Sequence, residues 1–69
     1  MFRRWTSESG YELRLLCGKS PRVILEKKNT VILYWSYEWY EHRQAEDAAK
    51  AIADLGSMEL VEQEVWAVS

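Results

Sequence analysis

The chain has 69 residues, of which 48% are hydrophobic and 29% are charged, and its formal net charge is −2. This length accommodates one small domain, residues 1–69, and the composition is that of a globular protein rather than a disordered one. One cysteine and one histidine exclude an intrachain disulfide and a structural zinc site, so neither a metal nor a cofactor is expected. Because a core of this size gives marginal stability, we expect support from self-association as a homodimer.

The sequence contains no apolar run of about 18 residues, so no membrane span is expected. Two arginines near the start are not followed by an apolar segment, which argues against a signal peptide. With its single free thiol, the chain is expected to be cytoplasmic. Residues 1–28 carry seven basic residues and three acids, whereas residues 29–69 carry two basic residues and eight acids. This asymmetry indicates either a basic contact surface or two parts of the domain that attract each other.

Residues 1–9 are expected to form an irregular N-terminal segment. The first predicted strand is Tyr11–Cys17, because its odd-numbered residues are apolar or aromatic and alternate with Glu12, Arg14 and Leu16. The following segment, Gly18–Pro21, contains both glycine and proline and predicts a turn. Two further strands are predicted at Val23–Lys27 and from Thr30 to about Tyr40, because both stretches are rich in β-branched and aromatic residues.

The turn between the second and third predicted strands has two possible lengths. A two-residue loop would contain Lys28 and Asn29, and a three-residue loop would also include Lys27. The longer loop gathers the apolar residues of both strands on one face and places Leu25 beside Val31. It also places Asn29 where a left-handed conformation is required. We therefore predict the three-residue loop.

Small and aliphatic residues recur at helical spacing after the aromatic stretch, and they predict a helix from about Arg43 to Leu55. The stripe consists of Ala45, Ala48, Ala49, Ile52 and Leu55. Gly56 follows where a left-handed C-cap belongs, although no good N-cap is visible. A last strand is predicted at Met58–Val68, with a bulge or an exposed edge where its alternation slips at Glu62–Glu64.

The predicted fold is therefore α+β with the order β-β-β-α-β. It consists of a small antiparallel meander of three strands, one amphipathic helix packed on one face of the sheet, and a C-terminal strand. Odd-numbered residues of the third strand are predicted to face the helix, and Trp35 is predicted to belong to the core.

The opposite face of this sheet carries the candidate partner-binding residues. Large apolar or aromatic side chains cluster there without a covering element, namely Leu16, Ile24, Ile32, Tyr34 and Tyr40. Such a cluster is unusual in a small monomer, so it indicates a contact surface for a second copy or for another protein. The alternative is that Phe2 and Trp5 fold back and cover it.

No catalytic residue is predicted. The tripeptide Gly18–Ser20 ends like a phosphate-binding loop, but Leu13 occupies the position of the upstream glycine, so it is interpreted as an ordinary turn. His42 follows Glu41 at a charged strand-to-helix junction, where no nucleophile is placed by the sequence. Cys17 is expected to act as a small buried hydrophobic residue.

The favoured function is that of a small, non-enzymatic protein–protein interaction module. It would regulate or inhibit a larger partner protein, as small phage or accessory proteins do, with Tyr34 and Tyr40 as the main anchors. The alternative is nucleic-acid binding through the basic hairpin of the second and third predicted strands. Its candidate contacts are Arg3, Arg4, Arg22, Lys27 and Lys28. The sequence pI of about 5.3 argues against this alternative.

Overall fold

Five antiparallel strands form one sheet, and one helix packs on it. The computed structural model describes residues 1–65. The strands in chain order are β1 (Phe2–Thr6), β2 (Tyr11–Leu16), β3 (Arg22–Lys27), β4 (Thr30–Ser36) and β5 (Glu59–Glu64). A 3₁₀ turn at Trp39–Glu41 leads into the helix α1 (His42–Leu55). The order across the sheet is β4-β3-β2-β1-β5. The α+β class is as predicted, but four strands rather than three precede the helix.

The additional strand is β1, so the predicted irregular segment at residues 1–9 is wrong. β1 pairs with β2 on one side and with β5 on the other. Its partners place Phe2 beside Leu16 and Trp5 beside Leu13. Because the two aromatic residues are three positions apart, they face opposite sides of the sheet. No alternating pattern therefore marks this strand.

The core lies between α1 and one face of the sheet. Its fully or nearly fully buried side chains are Trp5, Leu13, Leu15, Val23, Ala45, Ala49 and Ala53. The alanines make a narrow helix face that the sheet approaches closely, and α1 lies over β2 and β3. β4 consequently projects beyond the helix. Trp35, predicted to be core, is 43% exposed, whereas Trp5 is only 7% exposed. The core therefore buries the indole of β1 and not that of β4.

The β3–β4 turn contains two residues rather than the predicted three. Lys27 pairs with Thr30, which leaves only Lys28 and Asn29 in the loop. Both have left-handed backbones, with φ of 50° and 65°, as a type I′ hairpin turn requires. The positive φ predicted for Asn29 is therefore present, although the loop length is wrong.

A β-bulge follows this turn. Beyond the bulge, the odd-numbered residues of β4 point to the helix side of the sheet, as predicted. Glu26 pairs with Val31, whereas Leu25 pairs with Leu33. Ile32 is therefore an extra residue in β4. The predicted pairing of Leu25 with Val31 is wrong, but Leu33 lies on the same face as Leu25, as expected.

β4 ends at Ser36, which is earlier than the predicted end near Tyr40. The Tyr37 N–H donates a hydrogen bond to the Pro21 carbonyl at 2.8 Å, and the Tyr37 side chain packs against the core. This bond continues the β3–β4 register by one residue beyond the Arg22–Ser36 pair. The last two aromatic residues, Trp39 and Tyr40, then lie in the 3₁₀ turn rather than in a strand.

The helix begins at His42, one residue before the predicted start. Just before it, the Glu38 N–H donates to the carboxylate Oε1 of Glu41 at 2.9 Å. This contact caps the 3₁₀ turn that leads into α1. The sequence did not reveal a cap because glutamate three residues downstream of another glutamate is a weak capping signal.

At the other end of α1, the left-handed residue is Ser57 rather than the predicted Gly56. Gly56 has φ of −89°, whereas Ser57 has φ of 50°. The Ser57 N–H donates to the Asp54 carbonyl and the Met58 N–H donates to the Ala53 carbonyl. These two bonds form a Schellman motif, which ends the helix and directs the chain into β5.

β5 is an edge strand that is exposed along its whole length. Its register shifts so that Glu62 pairs with Arg4 and Leu60 pairs with Trp5, which leaves Val61 as a bulge. The predicted exposed edge is confirmed, and the bulge lies at Val61, one residue before the predicted Glu62–Glu64. Residues 66–68 of the predicted last strand lie outside the described residues.

Candidate interaction surface

The sheet face opposite α1, here called the outer face, carries a diagonal apolar stripe. The stripe consists of Phe2, Leu16, Ile24 and Tyr34. Strand pairing places Phe2 beside Leu16 and Ile24 beside Tyr34. No other element within residues 1–65 covers this face. Three of the predicted partner-binding residues are thereby brought together. Phe2 extends the stripe instead of covering it, and Trp5 points into the core on the other side.

Charged side chains occupy the neighbouring part of the outer face. Arg4 donates to Glu12 at 3.2 Å and to Glu62 at 3.0 Å. Arg14 forms an ion pair with Glu26 and lies 3.7 Å from a Glu12 oxygen. The hydrogen bond to Glu62, followed by that to Glu12, raises the pKa of Arg4. Both arginines are therefore matched by carboxylates, and this face is not a basic patch.

Ile32 and Tyr40 lie away from the apolar stripe. The β-bulge turns Ile32 towards the helix side, where it lines a cleft of about 490 Å³ together with Ile52 and Leu55. The expectation that Ile32 lies on the outer face is therefore wrong. Tyr40 belongs to the 3₁₀ turn, where its ring packs edge-on against Trp39 with the ring centroids 5.6 Å apart. Tyr40 and Trp39 are 61% and 69% exposed, respectively.

β4 is exposed on both faces and along its free edge. Six of its seven residues are exposed and Leu33 is half-buried. Its sequence, TVILYWS, contains no charge, proline or glycine. Tyr34 is 51% exposed on the outer face, and Trp35 is exposed on the helix side. A long, apolar edge strand of this kind offers unpaired backbone groups to another chain.

The other edge of the sheet is protected by charge. β5 carries Glu59, Glu62 and Glu64 within six residues. Acidic side chains along an edge oppose the addition of a further strand, because the charges must be desolvated or brought close to others. The two edges therefore differ in chemistry, and the β4 edge is the one open to pairing.

Charges of opposite sign flank β4 at its two ends. Lys27 and Lys28 lie at the β3–β4 turn, and Glu38 and Glu41 follow the last residue of β4. The Lys27 Nζ lies 4.7 Å from the centroid of the Tyr11 ring, a cation–π contact. The β4 surface is defined as β4 together with these flanking residues and the two rings of the 3₁₀ turn. It is apolar in the middle, basic at one end and acidic at the other.

No protein-family model, curated protein or solved structure matches this chain. The β4 surface is therefore the feature from which we infer a function.

The candidate nucleic-acid contacts are not collected into one patch. Arg3 lies on the helix side of the sheet, in a groove shared with Asp54, whereas Arg4 lies on the outer face. Arg22 begins β3 and Lys27 ends it, so these two lie at opposite ends of the sheet. Residues 1–65 thus provide no continuous basic surface along which a phosphate backbone would run.

The remaining chemistry-bearing residues do not form a site. Cys17 is half-buried, and the Met1 ammonium donates to its carbonyl oxygen at 2.8 Å. Burial raises the pKa of the Cys17 thiol, which disfavours the nucleophilic thiolate. Residues 1–65 contain no group of three or more side chains arranged to hold a metal ion. In the same part of the chain, no helix has the length and apolarity to cross a membrane.

Proposed function

We propose that this protein is a protein–protein interaction module that binds an extended segment of a partner chain at the free edge of β4. By occupying that segment, it regulates or inhibits a larger protein. The observation that carries the proposal is the contrast between the two sheet edges. β4 is uncharged and exposed, whereas β5 carries three glutamates.

Strand addition supplies the affinity in this mode of binding. The unpaired N–H and C=O groups along β4 would form a ladder with the bound segment, and alternate side chains would contact the two faces of the sheet. Tyr34 on the outer face and Trp35 on the helix side are exposed beside this edge. Tyrosine and tryptophan suit such anchor positions because each combines a large apolar area with a polar group.

The surroundings of β4 define the chemistry of the partner segment. The cleft lined by Ile32, Ile52 and Leu55 accommodates an apolar side chain on the helix side. Lys28 at one end of β4 favours an acidic residue, and Glu38 beyond the other end favours a basic one. The expected partner segment is therefore extended and apolar in its middle, with opposite charges at its two ends.

The test compares Tyr34→Lys with Val61→Lys. Both residues are exposed apolar positions on edge strands, so the pair separates the two edges while the change in charge is kept constant. Proteins captured from the native host by the unmodified chain are identified by mass spectrometry, and each is then bound in purified form to both variants. Amide hydrogen exchange of the complex reports which strand becomes protected.

Under the proposal, Tyr34→Lys weakens binding by about tenfold or more, Val61→Lys leaves it unchanged, and the amides of β4 gain protection. Equal loss in the two variants, or protection outside β4, would contradict the proposal. A complex with DNA or RNA that dissociates as the salt concentration rises, and that charge reversal at Lys27 and Lys28 abolishes, would instead identify nucleic-acid binding.

A further inference from the structure

We propose that the β4 edge also binds β4 of a second copy of this chain, in an antiparallel pair around a two-fold axis. The inference rests on the proposed function, since it requires that the β4 edge accept an added strand. The resulting dimer would have one continuous sheet of ten strands. Each β4 would then be an interior strand, and the two acidic β5 strands would form the outer edges.

The first reason is that β4 itself has the properties of the expected partner segment. It is extended, uncharged over seven residues and rich in β-branched and aromatic side chains. Apart from the bulge at Ile32, it is also held in strand conformation by β3, so pairing requires little additional ordering of the backbone. Because of this preorganisation, β4 of a folded second copy should bind more tightly than an unstructured peptide with the same sequence.

The second reason is the sign of the charges at the two ends. In an antiparallel pair, the β3–β4 turn of one copy lies beside the segment that follows β4 in the other. Lys28 of each copy would therefore approach Glu38 of its partner, whereas Lys27 lies over Tyr11 and the Glu41 carboxylate accepts from the Glu38 N–H. A parallel pair would bring like charges together instead. For Lys28 and Glu38, the antiparallel arrangement is the one that is complementary in charge.

The third reason is the area available. Tyr34, Trp35, Trp39 and Tyr40 are between 43% and 69% exposed. A ring residue buries roughly 150–250 Å² when fully covered, so the exposed parts of these four amount to at most about 400 Å² per copy. A standard interface buries about 800 Å² on each partner. Val31, Ile32 and the backbone of β4 also lie at this edge and supply further contact.

The two-fold axis provides a stringent test by charge exchange. Lys28→Glu and Glu38→Lys, made singly, each place like charges at both ends of the pair, and each should weaken dimerisation by about two- to fivefold. The double variant restores opposite charges and should restore the dimer. Lys50→Glu, on the exposed side of α1, is the control for net charge. Tyr34→Lys places two lysines near the axis and should weaken the dimer by roughly tenfold or more.

Sedimentation equilibrium from micromolar to millimolar concentration measures the association constant, with circular dichroism as the check that each variant folds. A mass of twice 8.2 kDa that follows the charge-exchange pattern supports the inference. A monomer at all concentrations, or a dimer insensitive to these variants, overturns it. If partner binding remains sensitive to Tyr34→Lys in that case, the proposed function stands without self-pairing. If partner binding is also insensitive, both proposals are overturned.

Discussion

Replacing Trp5 by alanine tests whether the N-terminal residues are a structural strand. Trp5 is 7% exposed and packs in the core beside Leu13. Removing a buried indole costs about 3–5 kcal/mol of unfolding free energy, through lost transfer energy and the cavity that remains. A domain of 69 residues has roughly 3–10 kcal/mol in total. We therefore expect Trp5→Ala to remove at least about a third of the unfolding free energy of the unmodified chain, and as much as all of it.

Trp39→Ala is the matched control, because the same side chain is 69% exposed there. Its buried fraction corresponds to about 60 Å², or about 1.5 kcal/mol. Urea unfolding followed by far-ultraviolet circular dichroism gives both free energies. It is measured at a protein concentration at which the unmodified chain and both variants sediment as monomers, because Trp39 belongs to the β4 surface and its loss would also weaken a dimer. Equal losses in the two variants would show that Trp5 is not in the core and would refute β1 as described.

Two further predictions concern the helix end and the cysteine. Ser57→Gly should raise the unfolding free energy by about 1 kcal/mol, because the left-handed φ of 50° is strained for serine but not for glycine. Ser20→Gly is the control, because Ser20 does not have a positive φ. In the same urea assay, it should not raise the unfolding free energy. The Cys17 thiol should react with iodoacetamide more slowly in the folded protein than in urea, since burial raises its pKa. By linkage, this thiol's contribution to stability is complete below the unfolded-state pKa and is lost as pH rises through the folded-state pKa. Equal alkylation rates in the two states would contradict the burial of Cys17.

Regular periodicity allowed the helix and the central strands to be predicted from the sequence. The alanine stripe marked α1 to within one residue of its start, and β2 and β3 have clear strand patterns. β1 has none, because Phe2 contributes to the outer face and Trp5 to the core. A strand whose large residues serve opposite faces cannot be recognised by alternation alone.

The missing strand also explains the error at Trp35. With three strands before the helix, the third strand was expected to lie under α1. The insertion of β1 beside β2 shifts the centre of the sheet away from β4, so the helix covers β2 and β3 instead. The open edge could not be predicted for the same reason, since an edge is a property of strand order and not of local sequence.

Part of the candidate surface could nevertheless be predicted from the sequence. Leu16, Ile24 and Tyr34 were assigned to the outer face, and pairing places them there. The predicted position of Ile32 is wrong because a bulge changes which face of the sheet the residue points to. Whether a bulge forms depends on the competition between turn geometry and cross-strand packing. That competition is decided by contacts between β3 and β4 that the sequence does not encode locally.

The neighbouring positions of β1 and β5 have a consequence for the order of folding. The hairpins of β1 to β4 join segments that are adjacent along the chain, so we expect them to form before the β1–β5 pairing. The β1–β5 pairing joins Phe2 to Glu64, and this non-local contact forms only after nearly the whole described chain has emerged. Until then, β1 is itself an open edge. A chain in which β5 has not yet paired would therefore have two unprotected strands, and the pairing of the acidic β5 leaves β4 as the unprotected edge of the sheet formed by residues 1–65.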